Sequence, residues 1–130
     1  MEIKNKYKSP LSMKNLIIKE ASFHLDDNGI GDTKIGLNVD HEIKEVDDSI
    51  YSVELSVSLD NESNTFSAYV KCSALFNTSN ENYSLIKKNA ISIMFPYIRS
   101  YISLLTTQPG MEPIVLPPIN IVALLSENEK

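Results

Sequence analysis

Strict alternation of apolar and polar residues is the main pattern in the first half of the chain. In the third alternating segment, Tyr51, Val53 and Leu55 are separated by Ser52 and Glu54. A period of two places alternate side chains on opposite faces of a β-strand, as in antiparallel sheets with one buried and one wet face. The pattern predicts four strands, at residues 16–25, 35–44, 51–59 and 66–76.

Turn residues separate the predicted strands. Residues 60–64 (Asp-Asn-Glu-Ser-Asn) are short and polar, which predicts a hairpin between the third and fourth strands. Residues 26–29 (Asp-Asp-Asn-Gly) break the chain after the first strand. Within that strand the apolar run Leu16-Ile17-Ile18 interrupts the alternation, so we expect a β-bulge that shifts its phase.

The pattern becomes helical over residues 83–105, with Asn80 or Asn82 as the candidate N-cap. Its apolar positions form two adjoining faces, which together cover roughly 200° of the helix, about twice the stripe of an ordinary surface helix. The faces are Ala90, Ile93, Tyr97, Tyr101 and Leu104, and then Ile91, Phe95, Ile98 and Ile102. One face can pack on the sheet, and we expect the other to meet another polypeptide. The candidate subunit contact is formed by Ile91, Ile98 and Ile102.

Prolines and capping residues predict the rest of the helical half. Pro96 lacks a backbone N–H and disfavours helical geometry at Phe95, so we expect a kink or a break there. Pro109-Gly110 should end the helical region as a turn. Asn120 should cap a short helix at about residues 121–125.

These segments together predict the α+β class. Residues 1–130 should form one domain, with a four-stranded antiparallel sheet, a long helix interrupted by proline, and a short C-terminal helix on one face. We expect residues 1–14 and 126–130 to be flexible. A proline-rich apolar loop, residues 111–118, joins the two helices.

Composition narrows the functional classes. A formal net charge of −5 and a pI near 5.0 argue against binding nucleic acid through its phosphates, which requires clustered Lys and Arg. No apolar stretch approaches the ~18 residues of a membrane span, so no membrane insertion is expected. Cys72 is the single cysteine, which excludes an intramolecular disulfide and fits a reducing cytosol. The expected location is cytoplasmic.

The sequence contains no constellation typical of catalysis or metal binding. The only histidines are His24 and His41, and strand geometry points His41 away from its neighbours Asp40 and Glu42. Cys72 lies on an alternating apolar face and is interpreted as a small core residue. We therefore expect neither enzymatic activity nor a cofactor.

Four stretches resemble the SecB family of bacterial export chaperones. Residues 19–23 (Lys-Glu-Ala-Ser-Phe) are similar to the family's Lys-Asp-Ile-Ser-Phe, and residues 47–55 to its Asp-Asp-x-Tyr-Glu-Val-x-Leu strand. Residues 95–99 (Phe-Pro-Tyr-Ile-Arg) are similar to Phe-Pro-Tyr-Ala-Arg in its long helix. Residues 116–125 resemble the family's Leu-Ala-Pro-Val-Asn followed by Ala-Leu-Phe. The order and spacing match over residues 16–125.

The resemblance implies a chaperone that works without ATP and holds unfolded polypeptides in apolar grooves beside the helices. It also implies a homotetramer built as a dimer of dimers. A flexible Met and amphipathic Tyr side chains suit a surface of loose specificity. The candidate groove residues are Tyr97, Tyr101, Met111, Ile114, Leu116 and Leu124.

Departures from the family leave other interpretations open. Export-type members bind the motor ATPase of translocation through an acidic patch on the outer side of the sheet. Glu20 keeps one acid, but His24, Ser67 and Tyr69 stand where the resembling strands carry acidic, apolar and acidic residues, so binding of this motor is doubtful. One alternative is a dedicated chaperone of a toxin–antitoxin system, with one antitoxin as its client. Another is an oligomerisation or ligand-binding module on the same fold.

Overall fold

The computed structural model describes residues 11–31, 34–78 and 82–128. Its strands are β1 (Leu11–Leu25), β2 (Ile35–Asp47), β3 (Ile50–Asn61) and β4 (Phe66–Thr78), and its helices are α1 (Tyr83–Leu105) and α2 (Ile121–Asn128). The strands form one antiparallel sheet in the order β1-β4-β3-β2. Helix α1 packs against β1, β3 and β4, and α2 contacts α1. The predicted α+β class is confirmed.

The central strands β3 and β4 have one buried and one partly exposed face. Their antiparallel pairing confirms the predicted hairpin, whose turn places Asn64 at a φ of 57°. Asparagine is one of the few residues that adopt this left-handed conformation at low cost. The inner face of the two strands, which lies under α1, consists of Val53, Leu55, Val57, Leu59, Phe66, Ala68, Val70, Cys72, Ala74 and Phe76.

Strand β1 lies at one edge of the sheet and begins earlier than predicted. Its register against β4 shifts between Lys14 and Ile17 and again between Ile18 and Glu20, which confirms the bulged region. The strand starts at Leu11, whose buried side chain joins the core. Residues 11–14 thus belong to a strand, whereas their flexibility stays a prediction, and residues 1–10 lie outside the described part of the chain.

Helix α1 continues through Pro96 without a break. Asn82 is the N-cap, since its side chain accepts a hydrogen bond from the backbone N–H of Leu85 at 3.2 Å. Buried side chains before and after Pro96 stay on one stripe: Ile86, Ala90, Ile91, Met94, Phe95, Ile98 and Ile102. Proline removes one helical hydrogen bond, but packing on the sheet holds both halves of the helix in phase. The expected break is therefore absent from the described helix, and the expected kink stays a prediction.

The C-terminal region runs from a turn to the short helix α2. The N–H of Met111 bonds to the carbonyl of Gln108 at 3.2 Å, with Pro109 and a left-handed Gly110 (φ 92°) between them. Proline followed by such a glycine is typical of a type II turn. Asn120 caps α2 as predicted, accepting from the N–H of Ala123 at 3.0 Å. The helix extends to residue 128, beyond the predicted end near residue 125, and the flexibility of residues 126–128 stays a prediction. Residues 129 and 130 lie outside the described range.

Candidate functional site

The two apolar faces of α1 differ in burial, and the face that was assigned to the subunit contact is the buried one. Ile91, Ile98 and Ile102 are fully buried within the protomer, on the side of the helix that packs on the sheet. These three residues are core residues, so their assignment to the subunit contact is corrected. The adjoining face is the open one, where Tyr97 is 50% exposed and Leu104 is 68% exposed.

The open face of α1 borders a groove beside the bulged edge strand, which we call the α1–β1 groove. Its volume is about 290 Å³. Tyr97 and Tyr101, two of the predicted groove residues, lie in it side by side. Sequence reasoning missed Leu16 and Ile18 as groove residues, because the apolar run in β1 was interpreted only as a bulge. The lining consists of Leu16, Ile18, Tyr97, Ser100, Tyr101 and Leu104.

A second groove, the loop groove, lies between the chain that follows the type II turn and the start of β2. Its volume is about 550 Å³. It unites the predicted residues Met111 and Ile114 with Ile30 and Ile35, which the sequence did not indicate. Ile30 is on the loop after β1, so only the tertiary fold brings it opposite Met111. The remaining lining residues are Gly110, Glu112 and Pro113.

A third groove, the α2–β2 groove, separates the short helix from the second edge strand. Its volume is about 530 Å³, and it contains the predicted residue Leu124. Polar side chains are mixed into its lining, which consists of Leu37, Asn38, Val39, Asp40, Ser58, Ile119, Asn120, Ala123 and Leu124. The polar share makes this groove less suited to apolar chain than the other two.

The six predicted groove residues therefore do not line one continuous site. Five are distributed over the three grooves, and the sixth, Leu116, is only 4% exposed and belongs to the core. Leu116 lines no groove in this conformation, which corrects its assignment. The preceding residue, Val115, is by contrast 72% exposed. Alternate side chains of this extended loop thus point into the core and into solvent.

Lysine side chains neutralise the central carboxylate on the outer face of the sheet. Glu54 forms ion pairs with Lys19 at 2.8 Å and with Lys71 at 3.6 Å. The hydrogen bond from Lys19 lowers the pKa of Glu54 and raises the pKa of Lys19. Glu20 lies opposite Lys71 in the pairing of β1 and β4. Glu54, at the centre of this face, is therefore neutralised, whereas an acidic docking patch needs free carboxylates.

Neither a metal centre nor a reactive thiol is apparent in the described ranges. Cys72 is buried in the core, and burial raises the pKa of its thiol to about 11, so it stays protonated at neutral pH. Within residues 11–31, 34–78 and 82–128, no three metal-binding side chains come together. Neither described helix is long and apolar enough to cross a membrane.

Comparison with known proteins places this fold in a family. Residues 2–130 match the model of the family described as preprotein translocase subunit SecB. The protein-export protein SecB of Neisseria gonorrhoeae is 31% identical over 77% of this chain and 74% of its own length. An uncharacterised protein of Methanocaldococcus jannaschii is 28% identical over 95% of this chain and 87% of its own.

Solved structures share the architecture at low sequence identity. A SecB-like chaperone of Mycobacterium tuberculosis, solved with a ChAD peptide from the HigA1 antitoxin, superposes with a TM-score of 0.59 at 16% identity. The match covers 85% of this chain and 91% of that one. It supports the fold alone, whereas the family match spans nearly all residues. This chain belongs to the SecB family.

Proposed function

We propose that this protein is a holdase that binds non-native polypeptides in its apolar grooves without using ATP. Proteins of the SecB family are chaperones and not enzymes, which supports a chaperone role here. The holding mechanism is our inference from the surface of the molecule. The observation that carries it is the set of apolar side chains left open beside α1 and along the loop that follows it.

Exposed or partly exposed apolar side chains line two of the grooves, where an extended chain could lie. Tyr97 and Leu104 border the α1–β1 groove, and Met111 lies in the loop groove. Apolar contacts lack directional partners, so they gain free energy with many different sequences. Several weak contacts along one client chain add up to a useful affinity, because each later contact is intramolecular. Such a surface is suited to binding polypeptide clients without changing them chemically.

The proposal predicts suppression of aggregation without nucleotide. Several unrelated proteins, diluted from denaturant, should scatter less light when this protein is present at equal or greater concentration, and adding ATP should change nothing. The control is an unrelated acidic protein of similar size at the same concentration. Protection of none of the substrates would contradict the holdase and favour a module that kept the fold without the activity.

A dedicated chaperone with one client is the second candidate. The ion pairs of Glu54 with Lys19 and Lys71 support it, because they neutralise one carboxylate on the outer face, where the resemblance places the motor-binding patch of export-type members. The similar fold from Mycobacterium tuberculosis was solved with a ChAD peptide from an antitoxin, which supports this candidate. Protection of a single protein encoded by a neighbouring gene, and of no other substrate, would select this candidate.

We also propose a homotetramer, with the open face of α1 in its subunit contact. Tyr97 and Leu104 are large apolar side chains at half or greater exposure on one helix face. A contiguous apolar surface of this kind is typical of an interface between copies. The same surface holds Tyr97 and Tyr101, whose binding of client stays a prediction. The proposed subunit contact therefore overlaps the proposed client surface at the α1–β1 groove.

Replacing Leu104 with glutamate should dissociate the assembly. Symmetry places the new carboxylate of each copy at the shared contact, where desolvation and repulsion between like charges disfavour association. Light scattering should then report a lower mass at micromolar concentration. The matched control is Val122→Glu, at an exposed position of α2. An unchanged mass for Leu104→Glu would place the contact elsewhere.

A further inference from the structure

The backbone of the loop groove is held by side-chain hydrogen bonds on both walls. On one wall the N–H of Ile114 donates to Oγ1 of Thr106 at 2.8 Å, and Oγ of Ser103 donates to the carbonyl of Ile114 at 3.0 Å. The Thr106 hydroxyl is fully buried and donates in turn to the carbonyl of Ile102 at 2.8 Å. Both backbone groups of Ile114 are thus bonded to the last turn of α1.

The opposite wall is held in a similar way. The carbonyl of Ile30 accepts from Nδ2 of Asn61 at 2.7 Å and from Oγ1 of Thr65 at 2.9 Å. Asn61 is buried, and its side chain also donates to Thr65 Oγ1 and accepts from the N–H groups of Thr65 and Phe66. All four hydrogen-bonding positions of the amide are used. The loop after β1 is therefore attached to the β3–β4 hairpin at Ile30.

These bonds matter because both walls lack regular secondary structure of their own. Residues 107–120 and 26–31, all described, form neither helix nor strand. Loop backbone normally bonds to water and moves, whereas here a backbone group that lost its partner would be left unsatisfied at the edge of the core. Binding to walls that are already ordered costs less conformational entropy than binding to walls that must become ordered.

We infer that Thr106 and Thr65 are positioning residues that hold the loop groove open at a set width, so that it selects client side chains by size. This inference rests on the proposed binding of polypeptide clients. A groove with held walls cannot close around a small side chain, so phenylalanine makes more contacts with the walls than alanine does. Walls released from their hydrogen bonds can adapt to either. The bonds therefore control discrimination between clients rather than affinity alone.

Substitution of threonine by valine removes the hydroxyl and keeps the shape, which makes a sharp test. The probes are extended peptides, otherwise identical, that carry alanine or phenylalanine at one central position, with binding followed by fluorescence anisotropy. We define the ratio as the affinity for the phenylalanine peptide divided by the affinity for the alanine peptide. For Thr106→Val and Thr65→Val this ratio should fall about fivefold, the scale of one hydrogen bond's net contribution. Thr106→Ser and Thr65→Ser, which keep the hydroxyl, should restore the ratio.

The chain offers a matched control one residue away. Thr107→Val makes the same chemical change at a hydroxyl that donates to the carbonyl of Ser103 and bonds to neither Ile114 nor Ile30, so its ratio of the two affinities should equal that of the unmodified protein. If Thr106→Val does not fold, Ser103→Ala removes the other bond to Ile114 from a partly exposed position and should lower the ratio in its place.

Two failures are distinguishable. If the unmodified protein binds both peptides and the valine variants keep its ratio, the inference is overturned while the proposed function stands. If the unmodified protein binds neither peptide, the proposed function itself is overturned, and the inference with it.

An equal fall in ratio for Thr107→Val would also overturn the inference, because it would show a general loosening of the helix end. Amide hydrogen exchange at Ile114, faster in Thr106→Val than in Thr107→Val, would support it.

Discussion

Replacing Ile98 with alanine should lower the free energy of unfolding by about 2–5 kcal/mol, the usual cost of truncating a fully buried aliphatic side chain. Ile98 has no exposed surface and packs between the helix and the sheet, so its removal leaves a cavity that the neighbouring side chains can only partly fill. Unfolding by urea, followed by circular dichroism at several protein concentrations, measures the change and separates it from any effect of association.

The control for Ile98→Ala is an exposed aliphatic residue. Val115→Ala removes apolar groups at a position that is 72% exposed, so it should change stability by no more than about 0.5 kcal/mol. A result in which Ile98→Ala lowers the mass of the assembly but leaves the unfolding of the single subunit unchanged would contradict the packing described here. It would also restore the contact between subunits that the helical pattern first indicated.

Replacing Met111 with serine should weaken the binding of an unfolded client roughly tenfold, since burial of such a side chain contributes about 1.5–3 kcal/mol and the groove is only partly closed. Met111 lies in the loop groove and is partly exposed, so its truncation removes a client contact without opening the core. Titration of a labelled, permanently unfolded polypeptide measures the affinity, and light scattering should report an unchanged mass.

Leu116 is the natural contrast to Met111, because it lies on the same loop with its side chain in the core. Leu116→Ser should cost at least about 2 kcal/mol of stability, because it leaves a cavity and buries a hydroxyl. The fraction that remains folded should still bind client. If Met111→Ser instead destabilises the fold while Leu116→Ser alone weakens client binding, the loop groove is misplaced.

The grooves show how much of a binding site can be predicted from residue patterns. Tyr97 and Tyr101 lie together, and so do Met111 and Ile114, because each pair is close in the chain. Ile30 and Ile35 were not predicted as groove residues. They lie opposite Met111 only because the loop following β1 is bonded to the hairpin through Asn61. Thr106 carried one usable signal. It continues the stripe of Ile98 and Ile102 at a spacing of four, where a polar residue signals a buried hydrogen bond.

Interactions between residues that are close in the chain determined which elements the sequence could predict by itself. Side-chain alternation specified the four strands, and the caps Asn82 and Asn120 marked the starts of the helices, because these preferences act between residues that are neighbours in the chain. Only the tertiary structure decided which apolar face of α1 is buried, that Pro96 does not break the helix, and that Leu116 belongs to the core. These outcomes depend on packing between segments far apart in sequence. The free energy of that packing outweighs the local cost of a proline, and it determines which of the two apolar helix faces is buried.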